Sequence, residues 1–307
     1  MTLLDALALF AVAALWGASF LFIKEAAPDF GPVSLIEARV LLAGLALVVL
    51  VLCLRRVREL SRNLRKFLVL GLINAAIPFT LIAAAELKLT ASLASIINAT
   101  TPLFALLVSS VRARRRPSRR QTAGAVLGIL GVGVLVGLGP LKLDGMLILA
   151  AVASMVAALF YALGSIYAKT QLSGVHPFLT ATGQQLGAAV ILFLPTFALP
   201  PREVPSTQAL LSVVALALAC TSLGYVLFYR LINSLGPTGA QTVTFLVPVF
   251  GLLWGTTFLG EPLGWSTLPG LAFILVAVFL VTDFPRRKSL QPTAAPVTAD
   301  EQAAEAG

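Results

Sequence analysis

The stretch SIINATTPLFALLVSSVRARRRP at residues 95–117 returns, altered but in register, as QTVTFLVPVFGLLWGTTFLGEP at residues 241–262. Pro102 falls on Pro248 and Pro117 on Pro262, an offset of 145 to 146 residues. The same offset carries Lys24 onto Lys169 and Pro32 onto Pro177. Residues 3–284 therefore read as two copies of one unit, and a repeat of that length is architectural. Each copy holds five apolar stretches of about 20 residues, the length a helix needs to cross a bilayer. Five is odd, so the second copy must sit upside down relative to the first, the plan of inverted-repeat transporters.

The reading is an all-α polytopic membrane protein with ten transmembrane helices in two inverted five-helix repeats. Spans 1 to 10 are expected near 3–24, 32–54, 67–87, 90–111, 121–138, 146–168, 177–199, 208–232, 237–259 and 267–284. The first repeat covers 1–140 and the second 141–285. Residues 286–307, with Pro, Ala and Glu but no apolar period, read as a disordered cytoplasmic tail. Composition agrees: 58% of the chain is hydrophobic and 11% charged, against about 25% charge in soluble domains. In hydrocarbon every backbone group must be satisfied within the fold, so a helical bundle follows.

Net charge is +9, but its placement points to topology and not to nucleic acid. Arg55, Arg56, Arg58, Arg62, Arg65 and Lys66 lie between spans 2 and 3. Arg112, Arg114, Arg115, Arg116, Arg119 and Arg120 lie between spans 4 and 5, and Arg286, Arg287 and Lys288 follow span 10. The alternate loops carry about one cation each: Lys24, Lys88, Lys142 and Arg202. The positive-inside rule then places both termini in the cytoplasm of a bacterial inner membrane. The repeat checks this independently, because Arg116 is replaced at its inverted mate by Glu261. Span 1 lacks a basic leader and a cleavage site, so no cleaved signal peptide is expected. Cys53 and Cys220 are the only cysteines and lie within spans, so neither a disulfide framework nor a metal site is expected.

Polar residues at mid-membrane depth are costly and mark candidate function. On span 4, Ser95, Asn98 and Pro102 share one helical face, as do their mates Gln241, Thr244 and Pro248 on span 9. Each proline frees the carbonyl four residues earlier, that of Asn98 or Thr244. Both faces are expected to line a wet central cavity, with a packed kink as the alternative. Trp16 and Ser19 on span 1 correspond to the Tyr161 region of span 6, and Phe79 on span 3 to Tyr225 on span 8. Tyr229 follows Tyr225 by four residues. Aromatic walls with scattered amides suit a small amphipathic solute. Glu37 and Arg39 sit in the outer third of span 2, about 200° apart on the helix; their mates are Thr182 and Gln184. Glu37 is expected at an outer vestibule, within reach of Lys24, as a proton-coupling or structural charge. Glu86 and Lys88 read as a solvated end of span 3. Gly124, Gly128, Gly131, Gly133 and Gly137 make span 5 a packing surface, against span 10 or across a homodimer built on either helix. No nucleotide loop is present, so no ATP-driven step and no cofactor is expected.

The order of these features resembles the EamA branch of the drug/metabolite transporter superfamily. The likeness rests on the two five-helix halves and on Trp16-Gly17-Ala18-Ser19-Phe20 in the first span. Arg39 in the second span, Asn98-Ala99-Thr100-Thr101-Pro102-Leu103 in the fourth and Gly260-Glu261-Pro262-Leu263 after the ninth add to it. It covers residues 3–284. The resemblance implies a central cavity between the halves and movement of small organic solutes such as amino acids, often outward. The family's glutamate before the fifth helix of each half is here Arg116 in the first half and Glu261 in the second. The expected function is a secondary transporter, an exporter of a small metabolite. An intramembrane enzyme would need clustered His, Asp or Glu, and the single histidine is His176 beside a loop. A scaffold or receptor would need neither the inverted repeat nor polar kinked helices.

Overall fold

The computed structural model describes residues 2–139, 141–201 and 204–282, leaving aside the side chains of residues 237 and 238. Ten apolar helices follow one another: α1 (Leu3–Phe30), α2 (Pro32–Cys53), α3 (Leu64–Glu86), α4 (Ala91–Ala113) and α5 (Arg119–Gly137) form the first half. The second is α6 (Gly145–Gln171), α7 (Pro177–Ala198), α8 (Thr207–Gly236), α9 (Val243–Phe258) and α10 (Thr267–Val281). The expected tail, with Arg286, Arg287 and Lys288, and the loop residue Arg202 lie outside the described residues.

Local chemistry sets the helix starts. Thr2 and Asp5 form a reciprocal capping box on α1, and Ser118 and Gln121 do so on α5. Asp144 and Ser206 accept from first-turn amides of α6 and α8. Pro32 and Pro177, mates in the repeat, occupy the first turn of α2 and α7, where no amide donor is needed.

Packing reproduces the repeat. α1 lies against α8 and α9, and its mate α6 lies against α3 and α4. α2 touches α8 as α7 touches α3, while α2–α7, α4–α9 and α5–α10 each pair a helix with its own mate. This pattern is unchanged when the halves are exchanged, as a two-fold relation requires. Small residues permit the close approaches: a Cβ on Gly17 would meet Phe250 Cβ at 2.7 Å and the Phe250–Gly251 backbone of α9 at 2.8–3.0 Å. Gly124, Gly128 and Gly131 face α10 and Leu103 within the same chain, whereas Gly133 and Gly137 have nothing within 4 Å. Exposed Val126, Ile129, Leu130, Val276 and Phe279 give this pair an apolar outer surface suited to lipid.

Two expectations about helix shape change. The sequence runs span 9 as one helix from residue 237; the structure breaks at Gly236, as that start requires, but turns again at Gln241 and Thr242 before Val243–Phe258. The mated prolines also differ. α4 breaks at Ala99 and Thr100, so Pro102 sits in the first turn of a new segment. Pro248 remains inside α9. The same residue type therefore costs a hydrogen bond in one half and almost none in the other.

Candidate functional site

Two wide turns organise the centre of the bundle. Residues Leu72–Ala76 of α3 and Leu216–Leu223 of α8 wind as π-helix, and the two segments are mates at the repeat offset. Such bulges insert an extra residue per turn and often occur at functional sites. Each places a polar group at the core: Asn74 in the first, Thr221 and Ser222 in the second.

Around them stand two matched triads. In one, the Arg39 guanidinium lies 3.9 Å from the centroid of Phe79, and Phe79 meets Tyr161 at 6.0 Å with a 58° tilt. In the other, the Gln184 amide donates to the Tyr225 hydroxyl at 3.1 Å, and Tyr225 meets Trp16 at 6.0 Å, edge-on. The offset maps Trp16 on Tyr161, Phe79 on Tyr225 and Arg39 on Gln184. The two triads are thus one construction made twice, with a cation in the first half and a neutral amide in the second. Tyr229 continues the wall, stacked on Tyr225 at 6.1 Å and edge-on to Phe178 at 6.4 Å.

The polar links close around the triads from the other half. Arg39 Nε donates to Thr221 Oγ1 of α8 at 3.0 Å, and Asn74 Nδ2 of α3 donates to Gln184 Oε1 of α7 at 2.7 Å. Gly164 and Gly224 are required here, because a Cβ would run into Asn74 at the first and lie 2.7 Å from Trp16 Nε1 at the second. Arg39, Phe79 and Gln184 are buried, while Trp16, Asn74, Tyr161, Tyr225 and Tyr229 keep partial exposure. Ser19 is buried and bonds its own helix at Leu15.

The polar faces of α4 and α9 do not join this group in the expected way. Ser95 is fully buried, donates to the Ser92 carbonyl and fills the space over Gly251 of α9, so it packs a helix crossing. The Asn98 carbonyl accepts from Thr101 Oγ1 at 2.7 Å, which satisfies the group that Pro102 leaves free. Asn98 Oδ1 stays buried without a partner among the described residues. Gln241 is exposed at the turn before α9, and Thr244 donates to its carbonyl. A recess of about 20 Å³ beside Leu93 and Leu135 lies where α4, α5, α6 and α9 meet and not among the triads.

Charges near the end opposite the arginine-rich loops also differ from expectation. Lys24 Nζ donates to the carbonyls of Glu86 and Leu89 at 2.6 and 2.8 Å, capping the end of α3 and not reaching Glu37 as an ion pair. Glu86 is fully buried, not solvated, and its carboxylate has no hydrogen-bond partner among the described residues. The reason is that α1 and the following turn cover the end of α3. Glu37 is buried as well, with one oxygen unpartnered among the described residues. Glu261 accepts from the amides of Ala91 and Ser92 at 2.6 and 3.0 Å and from the Ser92 hydroxyl, capping the start of α4 across the two halves. Asn74, Thr221 and this role of Glu261 escaped the sequence reading. The mates of the former are Cys220 and Ala75, so the repeat did not flag them.

Comparison with known proteins agrees with this architecture. The profile described as the EamA-like transporter family matches twice, at residues 3–137 and 148–283. An "uncharacterized transporter" of Archaeoglobus fulgidus is 25% identical over 87% of this chain and 94% of its own length. Protein PecM of Dickeya dadantii is 27% identical over 90% and 93%, and the uncharacterized inner membrane transporter YedA of Escherichia coli is 25% identical over 95% of each. A solved crystal structure, 19% identical, superposes with a TM-score of 0.65 over 91% of this chain and 96% of that one, which shows a shared fold.

Proposed function

The chain belongs to the EamA-like transporter family and is a membrane transporter, and on that premise we propose that it is a secondary exporter of a small organic solute. The solute binds between the two triads, and the halves rock about it to open one end and then the other. One observation carries this reading: the aromatic and polar groups at mid-depth are duplicated by the repeat, so each half brings an equivalent wall to a shared centre. Duplicated walls at wide helical turns are what alternating access around a fixed site needs. Partial exposure of Trp16, Tyr161 and Tyr225 supports a path to that centre.

The test is solute flux in proteoliposomes, using metabolites first selected by thermal shift on the purified protein. Saturable flux is expected, and Tyr161→Ala or Tyr225→Ala should cut it about tenfold or more while the protein still folds. Absence of flux for every thermal-shift hit, or flux indifferent to both substitutions, overturns the proposal.

A further inference from the structure

Resting on the transporter reading, we infer that Arg39 is the receptor for an anionic group, and that the solute is an organic carboxylate with an apolar or aromatic body. Arg39 is 6% exposed and sits on a membrane-spanning helix. A guanidinium presents five N–H donors in a rigid fork. Its Nε is used by Thr221, and no further hydrogen bond to Arg39 occurs among the described residues. The two terminal nitrogens have no hydrogen-bond acceptor among the described residues. No carboxylate of the described residues lies within ion-pair distance of it. Glu86, whose carboxylate is itself without a hydrogen-bond partner among the described residues, lies beyond that distance. A buried cation without a counterion is unfavourable, and a ligand anion relieves it.

The repeat supplies the control. Gln184 occupies the same place in the other half, and both ends of its amide are satisfied by Asn74 and Tyr225. One member of the mated pair is closed by the protein's own groups and the other is left open. Phe79 covers one face of the guanidinium, so the open fork is approached from its edge. A planar carboxylate matches that edge with two parallel bonds. Tyr161 against Phe79 and Tyr225 against Trp16 supply ring surface for an apolar body. A lone guanidinium flanked by rings suits a singly charged carboxylate better than a phosphate dianion, which calls for several cationic donors. A net cation is repelled.

Binding to the purified full-length protein is measured by tryptophan fluorescence with three probes of one shape: 3-phenylpropionate, 3-phenylpropanol and 3-phenylpropylamine. The carboxylate is expected to bind at least about tenfold more tightly than the alcohol, and the amine weakest. In Arg39→Gln the carboxylate should fall to the level of the alcohol, with alcohol binding retained as the sign of an intact site. Equal affinity of carboxylate and alcohol in the unaltered protein overturns the inference without recourse to any variant. So does discrimination that survives Arg39→Gln, or failure of all three probes to bind. Parallel flux in proteoliposomes separates the two readings. Flux of neutral or cationic solutes that is insensitive to Arg39→Gln leaves a transporter without an anion receptor, whereas absent flux removes the transport reading itself.

Discussion

A single carboxylate, Glu261, takes up two amides and a hydroxyl at the start of α4. Free amides at a helix start cannot find water at a packed crossing, and the helix dipole adds to the attraction of a negative group. Glu261→Gln keeps one acceptor and loses the charge, which should cost about 1 kcal/mol, and Glu261→Ala about 2 kcal/mol. Thermal unfolding in detergent should rank them in that order; an unchanged Tm in both would show that the amides are satisfied otherwise. At this scale the sequence was informative where the repeat doubled a signal. Trp16, Tyr161, Phe79, Tyr225, Arg39 and Gln184 were legible because each had a chemically related mate. Asn74 and Thr221 were not, because each lies in a largely apolar run and its mate, Cys220 or Ala75, is not a matching polar group. Glu86 misled because a charge at a span end normally meets water, and only tertiary packing reveals that α1 covers it.

The elements carry the repeat less strictly than the residues. Pro102 and Pro248 are mates, yet one opens a helical segment and the other interrupts α9. Pro248→Ala restores an amide donor to the Thr244 carbonyl, so it should raise Tm despite lost packing around a buried ring. Pro102→Ala restores no bond, since a first-turn amide has no helical acceptor, and should leave stability within about 0.5–1 kcal/mol of the unaltered protein. Equal shifts in the two variants would contradict the asymmetry. Span ends were readable to within a few residues in most helices, because hydropathy and charge mark where a helix leaves the bilayer. Breaks and bulges inside helices were not, since hydropathy is blind to backbone winding. The paired π-helical turns at Leu72–Ala76 and Leu216–Leu223 have no signature in composition.

For the whole molecule, the side-chain bonds between halves at the end away from the arginine-rich loops involve three carboxylates. Asp29 accepts from the Ser206 hydroxyl and amide, Glu25 accepts from Gln208 and Ser212, and Glu261 holds the start of α4. Ser34 adds a bond to the Leu199 carbonyl. These contacts tie α1 to α8 and α2 to α7, so an opening between the halves at this end must break them. If the halves rock, the bonds hold that end shut, and weakening them shifts the population toward the state open there. Cys220 is a native reporter, because it is buried in the wide turn of α8 beside Arg39. In a Cys53→Ala background, an impermeant methanethiosulfonate added from this side should label Cys220 slowly. Removing the tethers with Ser206→Ala, Gln208→Ala and Ser212→Ala should speed labelling several-fold, as the exposed Ser206 and Gln208 contacts contribute a few tenths of a kcal/mol each to the closed state and the half-buried Ser212 contact somewhat more. A reporter fused after Lys288 should at the same time read cytoplasmic, which places the labelled end outside. Labelling at one rate in both proteins would mean that these bonds do not govern opening, and a periplasmic reporter would reverse the sidedness of the whole cycle.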